Sequence, residues 1–443
     1  MKRWVVVLLV VLAAVVLVSP GIVGRIAERN LESNLEWAAR EAGNVSVSGG
    51  SFDRGWFTSE GTRRIEIRNE QLRSLIAGLA DLPGNAAAPV LIVSTRLDHG
   101  LIPVSSMKRE SGSLAPALAS AVSTVQLDPG NAEPIAIPGE IVTRIGLSGA
   151  STSNYRLDAG SYDDASTHAE WQGADVTVET DSGAASLGLD ATIEPFRIES
   201  GGRSFSTAGI KVDSELETTQ YGFNVGSIEA ITEAVVIETP DAPGGGFGRL
   251  SFEAGTELVD ERVNGRSVMS ISDVNAPGLG KVAIDMDLAF EGIDAAYLQP
   301  ILAAFEQSQT SPAPGEALAA IYPAIREDVH GIVASGAELR IERFDVVLPQ
   351  GTVSSRLRLA LPETDPSAFS WPAVLLALHA TAELSVPAPI VEIAQAANPQ
   401  AGALVAMGLL KKEGDVYRMH AEYAKGLLTV NGAPMPLPLP AAR

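Results

Sequence analysis

Two aspartates come closest to a catalytic pair. Asp285 and Asp287 stand two apart in KVAIDMDLAF, a run that alternates apolar and polar residues. In a strand that spacing puts both carboxylates on one face, about 6.6–7 Å apart. An inverting glycosidase uses such a separation to seat a water between its acid and its base. A solvated sheet face produces the same alternation with no chemistry attached. The histidines His99, His168, His330, His379 and His420 include no i, i+3 or i, i+4 pair, so no element carries a two-histidine metal site. His99 closes an apolar run at a turn, where it could act as ligand or base or bond the backbone. Gly146-Leu147-Ser148-Gly149 falls one residue short of a nucleophile elbow. Gly244-Gly245-Gly246 is not followed by the Lys-Ser/Thr of a phosphate loop and reads, with Asp241, Ala242 and Pro243, as a flexible linker. Without cysteine there is no thiolate catalysis, disulfide or cysteine-held metal. No catalytic residue, cofactor or metal is assigned. The contact candidates are His99 and the aromatic cluster Phe52, Trp56 and Phe57, which suits either a small core or a membrane surface.

The elements that would position these residues begin with an apolar run. After Met1, Lys2 and Arg3, residues 4–18 are unbroken hydrocarbon, and Ile22, Val23 and Gly24 extend the run past Ser19-Pro20-Gly21. A bilayer core takes about 20 residues of helix, with each backbone group satisfied internally. Residues 4–24 are therefore expected to form a transmembrane anchor, with Lys2 and Arg3 keeping the N-terminus cytoplasmic. A cleaved signal peptide shares the basic start and apolar middle, but Val18-Ser19-Pro20 makes a poor cleavage site. Either way the body is exported, and a lipoprotein is excluded because no cysteine is available to carry the lipid.

At 443 residues the chain has room for two or three units. Its 32 basic and 54 acidic residues give a net charge of −22. That argues against nucleic-acid binding and against lying flat on anionic headgroups. Such a charge keeps an exported domain soluble; an acidic surface for a basic partner is the other reading.

Periodicity places a short helix over residues 25–43 and another over 69–80, with a strand at 45–48 between them. From Val90 the period becomes two. Strand-like runs recur through NYRLDAG, HAEWQGADVTVET, ASLGLDATIE, FRIES and GIKVDSELETT, with turn residues between them. The Ala-rich stretch 114–125 is undecided. In the second half KVAIDMDLAF should turn Val282, Ile284, Met286, Leu288 and Phe290 to one face. Helical segments are expected over 293–335 and 389–410, and a last hairpin turns at Lys425-Gly426. The fold class is α+β and β-rich: a transmembrane helix, then an extended antiparallel-sheet body with a few packed helices. The divisions are 1–24 anchor, 25–89 membrane-proximal segment, 90–243 first β-rich unit and 244–443 second β-rich unit.

Several fragments recur in a set order. Phe52-Asp53-Arg54-Gly55-Trp56-Phe57-Thr58-Ser59 is followed by Leu97-Asp98-His99-Gly100, Trp171-Gln172-Gly173 and Gly426-Leu427-Leu428-Thr429-Val430-Asn431-Gly432. Behind an N-terminal anchor, this order resembles the bacterial YdgA-like family of membrane-anchored envelope proteins. Leu101 departs from the proline that the family usually has after His-Gly. A looser architectural likeness is to AsmA-type envelope proteins, which are associated with lipid traffic. The resemblance implies an inner-membrane protein with its body in the periplasm and no established reaction. The expected function is therefore non-catalytic: binding or guiding lipid, or supporting envelope assembly. An envelope hydrolase acting on glycan or peptide, and an interaction module of an envelope complex, are the competing readings.

Overall fold

The computed structural model describes residues 45–435 apart from 49–50, 55–57, 68–89, 100–118, 129–133, 147, 164–166, 184, 201, 240–241, 277–279, 310–313 and 366–368. The expected anchor, both expected N-terminal helices, Trp56 and Phe57 lie outside the described residues. The chain divides into two units.

The first unit, which runs to Thr219, is an antiparallel array. Its strands are β1 (Val45–Ser48), β2 (Phe52–Arg54), β3 (Thr58–Ile67), β4 (Val90–His99), β5 (Ala119–Asp128), β6 (Ile135–Ile145), β7 (Ser151–Asp163), β8 (Thr167–Thr180), β9 (Ser186–Ile193), β10 (Phe196–Ser200), β11 (Arg203–Thr207) and β12 (Ile210–Thr218). Neighbours from β3 to β9 pair in sequence order. From Ala119 onward the undecided 114–125 stretch belongs to β5, whose period-two burial puts Ala121, Ser123, Val125 and Leu127 inside; residues 114–118 lie outside those described. The closed core holds Leu91, Val93, Leu127, Tyr155, Val176 and Val178 among others. Leu91, Val93 and Leu127 retain only 1% exposure. Hydroxyls on the same inward face satisfy one another across strands: Thr95 with Ser123 at 2.7 Å, Thr143 with Ser153 at 2.8 Å and Ser151 with Thr180 at 2.7 Å. Burying them unpaired would cost stability.

The second unit is a longer antiparallel sheet. β13 (Asn224–Thr239) has residues in both units. β14 (Ala242–Val259), β15 (Arg262–Ala276), β16 (Gly280–Asp294), β17 (Glu338–Leu348), β18 (Gly351–Ala360) and β19 (His379–Pro387) then pair in order. β19 pairs with β21 (Val416–Ala424), which also pairs with β20 (Lys411–Glu413) and β22 (Leu427–Val430); β23 (Ala433–Met435) follows β22. The turn between β21 and β22 has positive φ at both Lys425 and Gly426, the geometry that a two-residue hairpin demands. Five helices are described: α1 (Ala295–Gln309) and α2 (Pro314–Ala334) after β16, each with residues in both units, then α3 (Trp371–Ala377) after β18, and α4 (Ala388–Ala397) and α5 (Pro399–Ala406) after β19.

Two expectations change. The glycine triplet is not a flexible linker, because β14 starts at Ala242 and runs through Gly244-Gly245-Gly246. Asn275 holds that end by donating to the Gly244 carbonyl at 3.1 Å, and Gly246 takes a φ of +148° that other residues rarely adopt. The helix expected over 389–410 is two helices. Asn398 ends α4 in extended backbone, and its Oδ1 accepts from Gln400 N at 2.9 Å to cap α5, with Pro399 at the first turn.

Candidate functional site

The second unit's sheet carries one apolar face that is only half covered. The register aligns Phe252, Met269, Met286 and Phe344 in a row across β14 to β17. Leu250, Ile271, Ile284 and Val346 make the row beside it. On the other flank Leu288, Ile341, Leu357 and Ala382 align across β16 to β19, then Phe290, Leu339 and Leu359 across β16 to β18. Phe290 also lies opposite Gly265, where a Cβ would strike its ring. The alternation expected of KVAIDMDLAF is therefore present. Keeping it across β17 takes a bulge: Glu342 is an extra residue between Ile341 and Phe344. Without it Phe344, Val346 and Leu348 would turn to the opposite face. Few of these side chains are buried. Phe344 is 37% exposed and Leu339 is 36% exposed, and the rest of these rows are half-buried.

The opposite face is a charged lattice. Asp285 and Asp287 do share it, but each is already engaged. Arg266 grips Asp287 through two nitrogens, at 2.9 and 2.6 Å. Arg343 reaches Asp285 at 2.7 Å and Asp345 at 2.8 Å, and Ser270 donates to Asp285 at 2.7 Å. The Arg266 hydrogen bonds hold the Asp287 carboxyl below its ordinary range. Arg358 grips Glu338 at 2.9 Å through both nitrogens and, aided by Arg340, holds it low as well. Burial works to raise Asp345, and Arg343, Ser354 and Arg356 outweigh it. A glycosidase acid needs the opposite shift, a carboxyl raised so that it holds its proton. Salt bridges this exposed contribute little each. Their main effect is to fix which face is wet.

In the first unit Phe52 falls in β2, and His99 ends β4 paired with Ala119; their side chains lie outside those described. The neighbour that sequence reasoning missed is Asp98. It is 8% exposed, its Oδ1 has no hydrogen-bond partner among the described residues, and Arg96 Nε lies 3.7 Å away. Ser120, opposite it on β5, has an Oγ likewise without a partner among the described residues. Only the position of Asp98 inside Leu97-Asp98-His99-Gly100 could have signalled it. Trp171-Gln172-Gly173 turns out to be a corner. β8 pairs with β9 from Ala174 onward and with β10 up to Trp171. At the changeover Gly173 has φ +136°, Gln172 N donates to Pro195 O and Glu194 N donates to Gly173 O. The Trp171 ring lies over Gly160 and donates to Asp158 O at 2.9 Å. Burial pushes the Tyr155 hydroxyl up, and that hydroxyl donates to Pro138 O at 2.7 Å.

His168 sits between Asp163 at 2.5 Å and Glu170 at 3.1 Å, which raise its pKa. His330 stacks on Phe369 at 3.9 Å and meets Trp371 edge-on, bracing α2 against the start of α3, while its Nε2 has no hydrogen-bond partner among the described residues. His379 and His420 are exposed on the charged face, and His420 lies 3.6 Å from Glu383. Asn431 of the closing motif takes a positive φ. Its Oδ1 accepts from His420 N, and its Nδ2 donates to Gly408 O and Leu409 O. It thereby ties the last hairpin to the end of α5. Among the described residues no group of three or more His, Asp or Glu is placed to hold a metal ion, and no helix is long and apolar enough to cross a membrane.

The chain belongs to DUF945, a bacterial family of proteins of unknown function, whose profile matches residues 1–438. No curated protein and no solved structure matches it.

Proposed function

We propose that this bacterial DUF945 chain is a non-catalytic envelope protein, anchored in the inner membrane by residues 4–24, whose periplasmic body binds or guides an acyl chain of a lipid. The observation that carries the reading is the half-covered apolar face of β14 to β19. Phe252, Met269, Met286 and Phe344 make a track across four strands, roughly 14 Å long at about 4.8 Å per strand. Methionine is unbranched and polarisable, so such a track adapts to a flexible chain. Each methylene it takes from water contributes about 0.8 kcal/mol. The arginine–carboxylate lattice keeps the reverse face wet, so a ligand meets one apolar side. The apolar run at 4–24, its basic start and the YdgA-like order of motifs support the location. The looser AsmA-type likeness supports lipid as the cargo, by analogy alone.

The test is photo-crosslinking in living bacteria. A photoactivatable residue replaces Phe344 on the apolar face or Thr352 on the opposite one, and adducts are identified by mass. Lipid adducts at 344 and none at 352 are expected. Equal adducts at both positions, or protein adducts alone, would refute the reading; protein adducts alone would favour an interaction module.

A further inference from the structure

The helical hairpin of α4 and α5 stands apart from the rest of the chain in charge. From Ala388 to Leu410 the only charged residue is Glu392, against 19% charged residues overall. One side of the hairpin is accounted for: Ala388, Val391 and Leu410 pack with Tyr417, and Leu384, Val386, Val405 and Met419 lie against them. Leu384 and Met419 continue the row of Met286 and Phe344, so the hairpin sits at one end of the apolar face. Its other side is not covered. Ile393 on α4 is 58% exposed, Leu404 on α5 is 41% exposed and Met407, which caps the end of α5, is 62% exposed. Leu404 and Met407 are three residues apart and so share a helix face.

We propose that this hairpin rests in the surface of a phospholipid bilayer, as a second membrane contact separate from the N-terminal anchor. Three features select a bilayer over a protein. The hairpin has no aromatic residue and no arginine, the types that dominate protein interfaces. Its exposed side chains are aliphatic or thioether among small Ala and Gly residues, which meet acyl chains without losing hydrogen bonds. Its exit carries Lys411 and Lys412, both exposed, where anionic headgroups would lie. Two of the nearby acids are answered: Lys412 Nζ is 3.9 Å from Glu392, and Arg418 Nε is 3.4 Å from Glu413. Lys411 Nζ donates to Asn431 O at 3.1 Å. The net charge of −22 opposes a broad flat contact, but screening over roughly 8 Å at physiological salt confines that repulsion to charges near the contact. The contact would put the end of the apolar face at the bilayer, where a lipid could enter it. It stands whether or not the face holds a lipid.

Because the chain has no cysteine, single labels read the contact directly. I393C, L404C and M407C, with T381C on the charged face as control, are made in the full chain and given a polarity-sensitive fluorophore. The protein is reconstituted in vesicles of phosphatidylethanolamine and phosphatidylglycerol. Spin-labelled acyl chains should quench the three hairpin labels several-fold more than the control, and iodide should reach them less. Replacing both Lys411 and Lys412 by glutamine should narrow the difference. Equal quenching at T381C would overturn the proposal. So would labels shielded from iodide yet unquenched by lipid, which would mean a protein partner or a second copy. Crosslinking at Phe344 reports on the face alone, so the two ideas can fail separately.

Discussion

The two units spend similar strands in different ways. In the first, period-two alternation ends in a dry core: Leu91, Val93 and Leu127 are sealed, and inward hydroxyls such as Thr143 and Ser153 pair with one another. In the second, the same alternation produces rows of Leu, Ile, Met and Phe that stay half-open, backed by a lattice of arginines and carboxylates. A sealed face is explained by stability. A large apolar face left open by its own unit implies something that covers it.

The largest expected difference is energetic. Leu91→Ala should cost about 2–5 kcal/mol, because its cavity cannot collapse. Met286→Ala should cost about 1 kcal/mol, since a half-buried side chain has gained only part of its transfer free energy. Hydrogen exchange of β4 and β5 against β15 and β16 would measure both. Comparable losses would mean the second face is as closed as the first. A smaller backbone effect belongs to the first unit's corner. Gly173→Ala should destabilise by about 1–3 kcal/mol, because φ is +136° and the new Cβ would lie 2.9 Å from Leu157 O. Increased exchange confined to β8 to β10 would show it, and an unchanged pattern would remove the corner from the account.

Acidity should separate the units by a smaller margin. Asp287 and Glu338 have folded pKa values depressed from 3.8 and 4.5. Their contribution is present above those values and is lost as pH falls through the lower folded ones. His168 has a folded value raised from 6.5. Its contribution is complete below 6.5 and is lost as pH rises through the folded value. Protection from exchange in β15 to β18 should therefore fall only in strong acid, and protection at the β7–β8 hairpin should fall as pH rises beyond 6.5 through the raised His168 value. Arg266→Met should weaken the acid response of β15 and β16, and His168→Gln should remove the loss at rising pH.

Much of the architecture was legible in the residues. KVAIDMDLAF declares its two faces, Lys425-Gly426 its hairpin, and the run of short strands its antiparallel pairing. Other features depend on long-range partners that local pattern does not encode. Gly244-Gly245-Gly246 looks like a linker until Asn275 bonds it. The 389–410 helix looks continuous unless Asn398-Pro399 is read as a stop and a new start. Asp285 and Asp287 fit an acid pair or a solvated face by spacing alone, and it is Arg266 and Arg343, from neighbouring strands, that engage them. Whether an apolar face is sealed or open is invisible in alternation, because both units alternate alike. Asp98 was hidden for the same reason: what stands opposite it is Ser120, distant in sequence.

Native mass spectrometry would show whether the open face of the second unit holds an acyl chain, as proposed. The full chain would be exchanged from bacterial membranes into a fluorinated surfactant, which does not mix with acyl chains. A bound lipid mass is predicted on the unaltered protein and on T381N. It should be lost from M286D and from F344S, the latter altering a partly exposed side chain that the fold tolerates. No lipid on the unaltered protein, or lipid retained by both face variants, would contradict the account.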